Sequence, residues 1–399
     1  MTIFLLLLAL LGHALLWIGV VNRIHALAVP YKFGHLCSAF GLVCLVTVPL
    51  TFAYWFAWAG IGATSGSVSW QQFPLATQLY LGVCWFSLVM GIGSWTWRGA
   101  LRRPPKILRS HHIRSIHLGR IESQDDRHPT TPSQFAHHFV AHLPANDILK
   151  LDVTQRAVDV PRLAPALDAL SIIHLSDLHF TGWVDKSYFQ KVVRRCNELE
   201  PDLVAITGDL IDRASCIEWI PDTLGKLAAR HGVYYVLGNH DIRVDTDRLR
   251  NTLGQSGLID LGGRWIQIDV RGEPVVLAGN ELPWIAPAAD LRSSPPRTPD
   301  GRPLRIVLSH SPDQIGWAQG QDADLMLAGH THGGQICLPL FGAVFSASRL
   351  GVNYVSGIFH APPTIMHITR GVSAELPLRL NCPPELSRLV LRSVRQKTD

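Results

Sequence analysis

Five short apolar runs in this chain each end in side chains that can bind a divalent cation. Residues 171–175 lead into Ser176-Asp177-Leu178-His179, 203–207 into Gly208-Asp209, and 233–237 into Gly238-Asn239-His240-Asp241. Further on, 304–308 lead into Ser309-His310, and 325–328 into Gly329-His330-Thr331-His332-Gly333-Gly334. Carboxylate, carboxamide and imidazole groups share one chemistry, the donation of lone pairs to a metal ion. A single Asp-x-His or Gly-Asp at the end of a strand is most often a turn. The order and completeness of all five tips set this chain apart.

The elements that would position these groups follow from patterning. From about residue 148 short apolar runs alternate with amphipathic segments such as 186–199, where Phe189, Val192, Val193, Cys196 and Leu199 fall at helical spacing. That alternation is the mark of an α/β layer structure. Ligand sites of open α/β sheets lie beyond the carboxyl ends of the strands, so strands of one shared sheet would bring the five tips to one cleft. Gly208, Gly238 and Gly329 let the backbone turn at strand ends without interference from a Cβ.

With these motifs in place, the chain resembles the calcineurin-like metallophosphoesterases, whose ordered motifs are Asp-x-His, Gly-Asp, Gly-Asn-His-Asp/Glu, a single His, and Gly-His-x-His. The likeness covers roughly residues 148–391; the Gly-His-Thr-His-Gly-Gly-Gln stretch and the tail from Arg379 to Glu385 look like the membrane-associated bacterial branch related to UDP-diacylglucosamine pyrophosphohydrolases. The resemblance implies an α/β sandwich with two divalent ions (Mn, Fe, Zn or Co). It makes Asp177, His179, Asp209 and His332 the ligands of one ion, and Asp209, Asn239, His310 and His330 those of the other, with Asp209 as the bridge. A carboxylate suits the bridge because its two oxygens can span ions about 3.5–4 Å apart. The neutral Asn239 leaves the site with excess positive charge toward a phosphodiester. The resemblance further implies a metal-activated hydroxide attacking phosphorus, with His240 stabilising or protonating the leaving group and Asp241 able to orient it. Asp212 reads as a turn or helix cap, His174 as structural, and Cys337 as a thiol without a nearby partner.

The region before this domain inherits nothing from the resemblance and is read from composition. The whole chain is 47% hydrophobic and 17% charged, and from residue 1 to 97 only Arg23 and Lys32 carry formal charge. Residues 3–21, 36–61 and 75–97 are each long enough to cross the roughly 30 Å hydrocarbon core as a helix, which predicts about three transmembrane helices. A basic collar follows, formed by Arg98, Arg102, Arg103, Lys106, Arg109, Arg114 and Arg120, after which the chain nets −4. The positive-inside rule then puts the N-terminus outside and the catalytic part in the cytoplasm, on the inner or plasma membrane. Seven scattered cysteines without a CxxC suit reduced thiols. Residues 122–146, with His128, His137, His138 and His142, read as a linker.

The expected architecture is therefore a bundle of about three transmembrane helices (1–97), a juxtamembrane collar and linker (98–147), and an α/β sandwich phosphoesterase domain (148–399). A linker of about 50 residues could reach about 165 Å if fully extended. The collar would attract an anionic membrane surface. The leading functional expectation is a membrane-anchored, dimetal hydrolase of a phosphodiester or pyrophosphate in a lipid or nucleotide-linked lipid. The alternatives are an enzyme for soluble nucleotides and an inert membrane scaffold. The acidic remainder speaks against a nuclease or other nucleic-acid binder. The loop over residues 279–302, rich in Pro and Ser, is expected near the cleft.

Overall fold

The computed structural model describes residues 2–25, 31–58, 73–101, 108–117, 139–140, 143 and 145–394, which fall into two units, Met1–Arg103 and Pro104–Asp399. The first unit holds α1 (Thr2–His25), α2 (Tyr31–Trp58) and α3 (Leu75–Leu101). Within α1 and α3, Phe4–Ile24 and Leu75–Thr96 are long and apolar enough to cross a membrane, whereas α2 offers the shorter apolar stretch Ala39–Tyr54. Three helices are thus present, and two of the three expected spans meet the length and composition that crossing requires. Gly12 lets α1 approach α3 closely, since a Cβ there would lie 1.8 Å from the Cys84 carbonyl oxygen. His13 Nδ1 and Trp17 Nε1 meet the Tyr80 hydroxyl at 2.6 and 3.2 Å, giving polar groups on apolar helices a shared partner.

The second unit is built on two sheets. In spatial order the first contains β1 (Leu108–His117), β2 (Lys150–Val160), β15 (Glu385–Ser393), β3 (Ser171–Leu175), β4 (Leu203–Thr207), β5 (Val233–Val236) and β6 (Ile259–Asp260). The second contains β13 (Gly357–Ala361), β14 (Thr364–Ile368), β10 (Leu325–Ala328), β9 (Leu304–Ser309), β8 (Glu273–Asn280) and β7 (Trp265–Val270). A short pair, β11 (Cys337–Leu338) and β12 (Gly342–Ala343), stands apart. Strands β3 to β6 run parallel, with α4 (Lys186–Glu198) crossing between β3 and β4 and α5 (Thr246–Gln255) between β5 and β6.

Alternation along each strand places the core. Ile172, Ala205 and Val236 of the first sheet pack against Leu277, Ile306 and Leu327 of the second, while Ile173, Leu175, Val204 and Ile206 face Phe189, Val192 and Cys196 of α4. Both faces of the central strands are covered, so they read as continuous apolar runs. The second sheet's outer residues, Val307, Met326 and Met366, pack against Ala318 of α6 (Ile315–Gly320). The result is an α/β sandwich with two sheets inside.

The collar and linker differ from the sequence expectation. Residues 108–117 form β1, which pairs antiparallel with β2 from Leu108↔Val158 to His117↔Lys150. Arg109 and Arg114 therefore belong to a sheet edge, and only residues 102–107 separate the end of α3 from the start of β1. The four linker histidines lie outside the described residues.

Candidate metal centre

The five motifs converge, but from two sheets. β3, β4 and β5 of the first sheet deliver Asp177, His179, Asp209, Asn239 and His240; β9 and β10 of the second deliver His310, His330 and His332. The strand tips are stitched together by backbone hydrogen bonds, Asp177 N–H to Gly208 O at 3.0 Å, His179 N–H to Asp209 O at 2.9 Å and Gly329 N–H to His310 O at 3.0 Å. The approach is close enough to require glycine. A Cβ on Gly329 would lie 1.8 Å from Ser176 Oγ, and one on Gly238 2.2 Å from Asp209 Oδ1.

The backbone at the donors is itself unusual. Asp177, His179, Asp209, His330 and His332 have φ of 52°, 45°, 54°, 69° and 51°. Left-handed backbone at a non-glycine residue costs on the order of 1–3 kcal/mol and persists where surrounding structure imposes it. Here the strand ends are fixed by the sandwich, and each residue twists to aim its side chain inward.

The donors form two groups with Asp209 between them. In one, His332 Nε2 is 3.5 Å from Asp177 Oδ1 and 3.2 Å from His179 Nε2, and His179 Nε2 is 3.7 Å from Asp209 Oδ2. In the other, His310 Nε2 is 3.1 Å from each of Asp209 Oδ2, Asn239 Oδ1 and His330 Nδ1. All seven metal-ligand candidates are thus brought together. Their second atoms are held from behind: His310 Nδ1 donates to Thr207 O at 2.7 Å, and His330 N–H reaches both Asp177 oxygens at 3.1 Å.

The electrostatics fit a cation. Burial disfavours a charged imidazole, yet the carboxylates of Asp212, Asp209 and Asp177 outweigh it and hold His179 up to about 9. Asp209 and Asp177 likewise hold His310 up to about 9 against burial, whereas burial and neighbouring cationic imidazoles push His330 down to about 3. The carboxylates that favour positive charge on His179 and His310 would favour a bound cation in place of those protons. Nitrogen and oxygen donors without a thiolate suit a divalent metal ion.

Two carboxylates exchange the roles that sequence adjacency suggests. Asp241 does not orient His240: it is buried and accepts from the N–H groups of Leu210 and Ile211 at 2.9 Å and Gly238 at 2.8 Å, tying two strand-end loops together. Asp212, read as a cap, instead takes the Nδ1 hydrogen of His179 at 2.7 Å on one oxygen and that of His240 on the other. His240 Nε2 faces the cleft, 3.8 Å from Asp209 Oδ2, with Arg243 Nη2 donating to it at 3.1 Å and Glu375 Oε2 at 3.8 Å. Arg243 in turn pairs with Glu375 at 2.8 Å.

Other contributors have weaker sequence signals. Trp284, from the 279–302 loop, sets its ring centroid 5.5 Å from that of His310 and 5.1 Å from that of His330, so this loop does reach the site. Arg379 is fully buried and donates from Nη1 to His332 O at 2.8 Å, with Nη2 3.2 Å from His332 Nδ1.

Comparison with known proteins agrees with this geometry. Residues 170–334 match the sequence profile of the calcineurin-like phosphoesterases. The chain is 32% identical over 225 residues to "Phosphodiesterase YaeI" of Escherichia coli, covering 55% of this chain and 81% of that protein. It is 28% identical over 254 residues to the uncharacterized metallophosphoesterase YkuE of Bacillus subtilis, covering 61% and 86%. A "Transmembrane protein with metallophosphoesterase domain" of Bos taurus is 30% identical over 259 residues, 60% of this chain and 57% of that protein. Strand-end donors in the order of the family motifs, gathered around a shared aspartate and matched along most of a named phosphodiesterase, place this chain among the calcineurin-like phosphoesterases, metal-dependent hydrolases of phosphate esters.

Proposed function

We propose that the protein is a membrane-anchored phosphodiesterase that holds two divalent ions and hydrolyses a phosphodiester or pyrophosphate carried by a lipid. The observation that carries the reading is Asp209, whose carboxylate lies between the Asp177/His179/His332 group and the Asn239/His310/His330 group. Ions held there supply Lewis acidity toward a phosphoryl oxygen and lower the pKa of a nearby water. The chain's own residues do the rest. Asp209 Oδ1 is pinned by the His240 N–H at 2.8 Å, so Oδ2 is fixed toward both donor groups. Asp212 takes the Nδ1 hydrogen of His240 and so turns Nε2, which accepts from Arg243, toward the cleft, where it would pass a proton to the leaving oxygen only after taking one up. Arg243, beside that nitrogen, adds positive charge where an oxyanion departs.

The lipid part of the reading rests on the two helices long and apolar enough to cross a membrane. The proposed topology keeps the N-terminus outside and the catalytic unit in the cytoplasm. The decisive experiment compares the full chain in anionic liposomes with the full chain in detergent, using a lipid phosphodiester and a soluble diester of the same headgroup. Anchoring is expected to raise the rate on the lipid alone. Equal rates on both substrates, or preference for the soluble one, would favour an enzyme of soluble nucleotides.

A further inference from the structure

We propose that Cys337 and Cys382 form an oxidisable dithiol, at which a peroxide makes a disulfide beside His332 and weakens the cation position to which His332 contributes. The inference takes from the proposed function only the assignment of His332 as a ligand.

The two cysteines are 45 residues apart, and the fold holds them side by side. Cys337 N–H donates to Leu380 O at 2.9 Å, Leu380 N–H to Gln335 O at 3.1 Å, and Asn381 Nδ2 to Cys337 O at 3.0 Å. Both thiols converge on one oxygen, Cys337 Sγ at 3.5 Å and Cys382 Sγ at 3.4 Å from Gly333 O. Sulfurs held on one carbonyl oxygen, on segments already paired through their backbones, are neighbours that oxidation could join. Cys337 is half-buried and Cys382 buried, so oxidant reaches Cys337 first.

Coupling to the metal centre is direct. Cys382 Sγ also lies 3.3 Å from His332 O, the carbonyl that Arg379 holds. Gly333 sits at φ 65°, where a Cβ would come within 2.7 Å of Cys382 Sγ. A disulfide removes the thiol hydrogens from the Gly333 and His332 carbonyls, and the displaced sulfur presses on a segment with no spare room. His332, already at φ 51°, takes up the shift. In the chemical step, a peroxide oxygen transfers to the sulfur of one cysteine, giving a sulfenic acid and the reduced peroxide as alcohol or water. The other cysteine's sulfur displaces that hydroxyl, which leaves as water with the second thiol's proton. Two thiols lose two electrons, and one peroxide bond gains them.

The test uses the full chain in detergent, reduced and loaded with Mn, then treated with stoichiometric hydrogen peroxide, alkylated and digested with trypsin without reductant. The tryptic peptides 306–349 and 380–388 are expected as one linked species that reductant separates. Chelator competition should show Mn held roughly 10-fold more weakly in the linked chain. Cys337→Ser should bind Mn like the reduced parent and lose its response to peroxide; Cys382→Ser, which also alters the His332 contact, serves as the second block on the link. A Mn-binding chain that forms no link, a link that leaves Mn affinity unchanged, or a Cys337→Ser variant that still responds would overturn the dithiol. Failure of the reduced chain to bind any metal would instead overturn the metal reading of His332.

Discussion

Asp212 Oδ2 accepts the Nδ1 hydrogen of His179 at 2.7 Å, which leaves Nε2 of that ring as the lone-pair donor toward the cation site. The carboxylate fixes the tautomer and raises the basicity of the imidazole, as outer partners of metal-bound histidines do. Asp212→Asn can keep one hydrogen bond but not the charge. Metal affinity is expected to fall about 10–100-fold with little change in fold. Chelator titration beside circular dichroism checks it, and unchanged affinity would remove Asp212 from the site.

Because Asp212 also holds His240, the two residues should separate by what they lose. His240→Ala is expected to retain bound metal and slow turnover by roughly 10²–10⁴-fold on alkyl leaving groups. Nitrophenyl esters, whose leaving group has a low pKa, should show a smaller defect. Elemental analysis with kinetics on both ester types distinguishes this from a packing role, in which metal would be lost.

The exchange of roles between Asp212 and Asp241 shows where sequence reading succeeds and where it stops. The strand tips were legible because a strand both covered and terminated leaves an apolar run followed by glycine and donors, a local signature. The orienting carboxylate was not, because Asp212 reaches His179 and His240 across 33 and 28 residues, while Asp241, the chain neighbour of His240, is turned to backbone N–H groups. β1 escaped for another reason: Leu-Arg-Ser-His-His-Ile-Arg-Ser-Ile-His has too few apolar residues for a period of two, and becomes a strand by pairing at a sheet edge. The pairing of Cys337 with Cys382 likewise depends on contact between distant segments. The helices of the first unit were legible from composition alone.

Substitution of Gly329 tests the close meeting of the sheets. A methyl group there would lie 1.8 Å from Ser176 Oγ and 2.5 Å from Asp177 Oδ2. Gly329→Ala is expected to destabilise the second unit by about 1–3 kcal/mol and to displace Asp177. Adding Ser176→Ala should restore part of the stability, measured by denaturant unfolding; a fully additive double variant would show that the contact is relieved elsewhere.

Acid sensitivity should come from a buried pair behind the site. Arg156 Nη1 donates to His367 Nε2 at 3.2 Å, so His367 Nδ1 carries hydrogen and donates to His174 Nδ1 at 2.8 Å, and His174 Nε2 donates to Thr207 Oγ1 at 2.8 Å. Burial drives His174 down to about 3 from 6.5, with His367 also well below its ordinary range through burial and the neighbouring His174 and Arg156. The unfolded chain therefore binds more protons than the folded one below pH 6.5. Stability present above 6.5 should be lost as pH falls toward 3, at up to about 1.4 kcal/mol per pH unit for each histidine. Urea midpoints of the parent and His367→Gln between pH 7 and 4 check this; the variant should lose less on acidification.

The left-handed donors set function against stability. Asp177, His179, Asp209, His330 and His332 occupy backbone positions where glycine or asparagine would rest more easily. The two aspartates offset part of that strain by accepting the buried N–H groups of His330 and His240. At the histidines the strain is offset when the rings hold an ion, so a cation added to the folded chain should stabilise it by binding where the backbone is tightest.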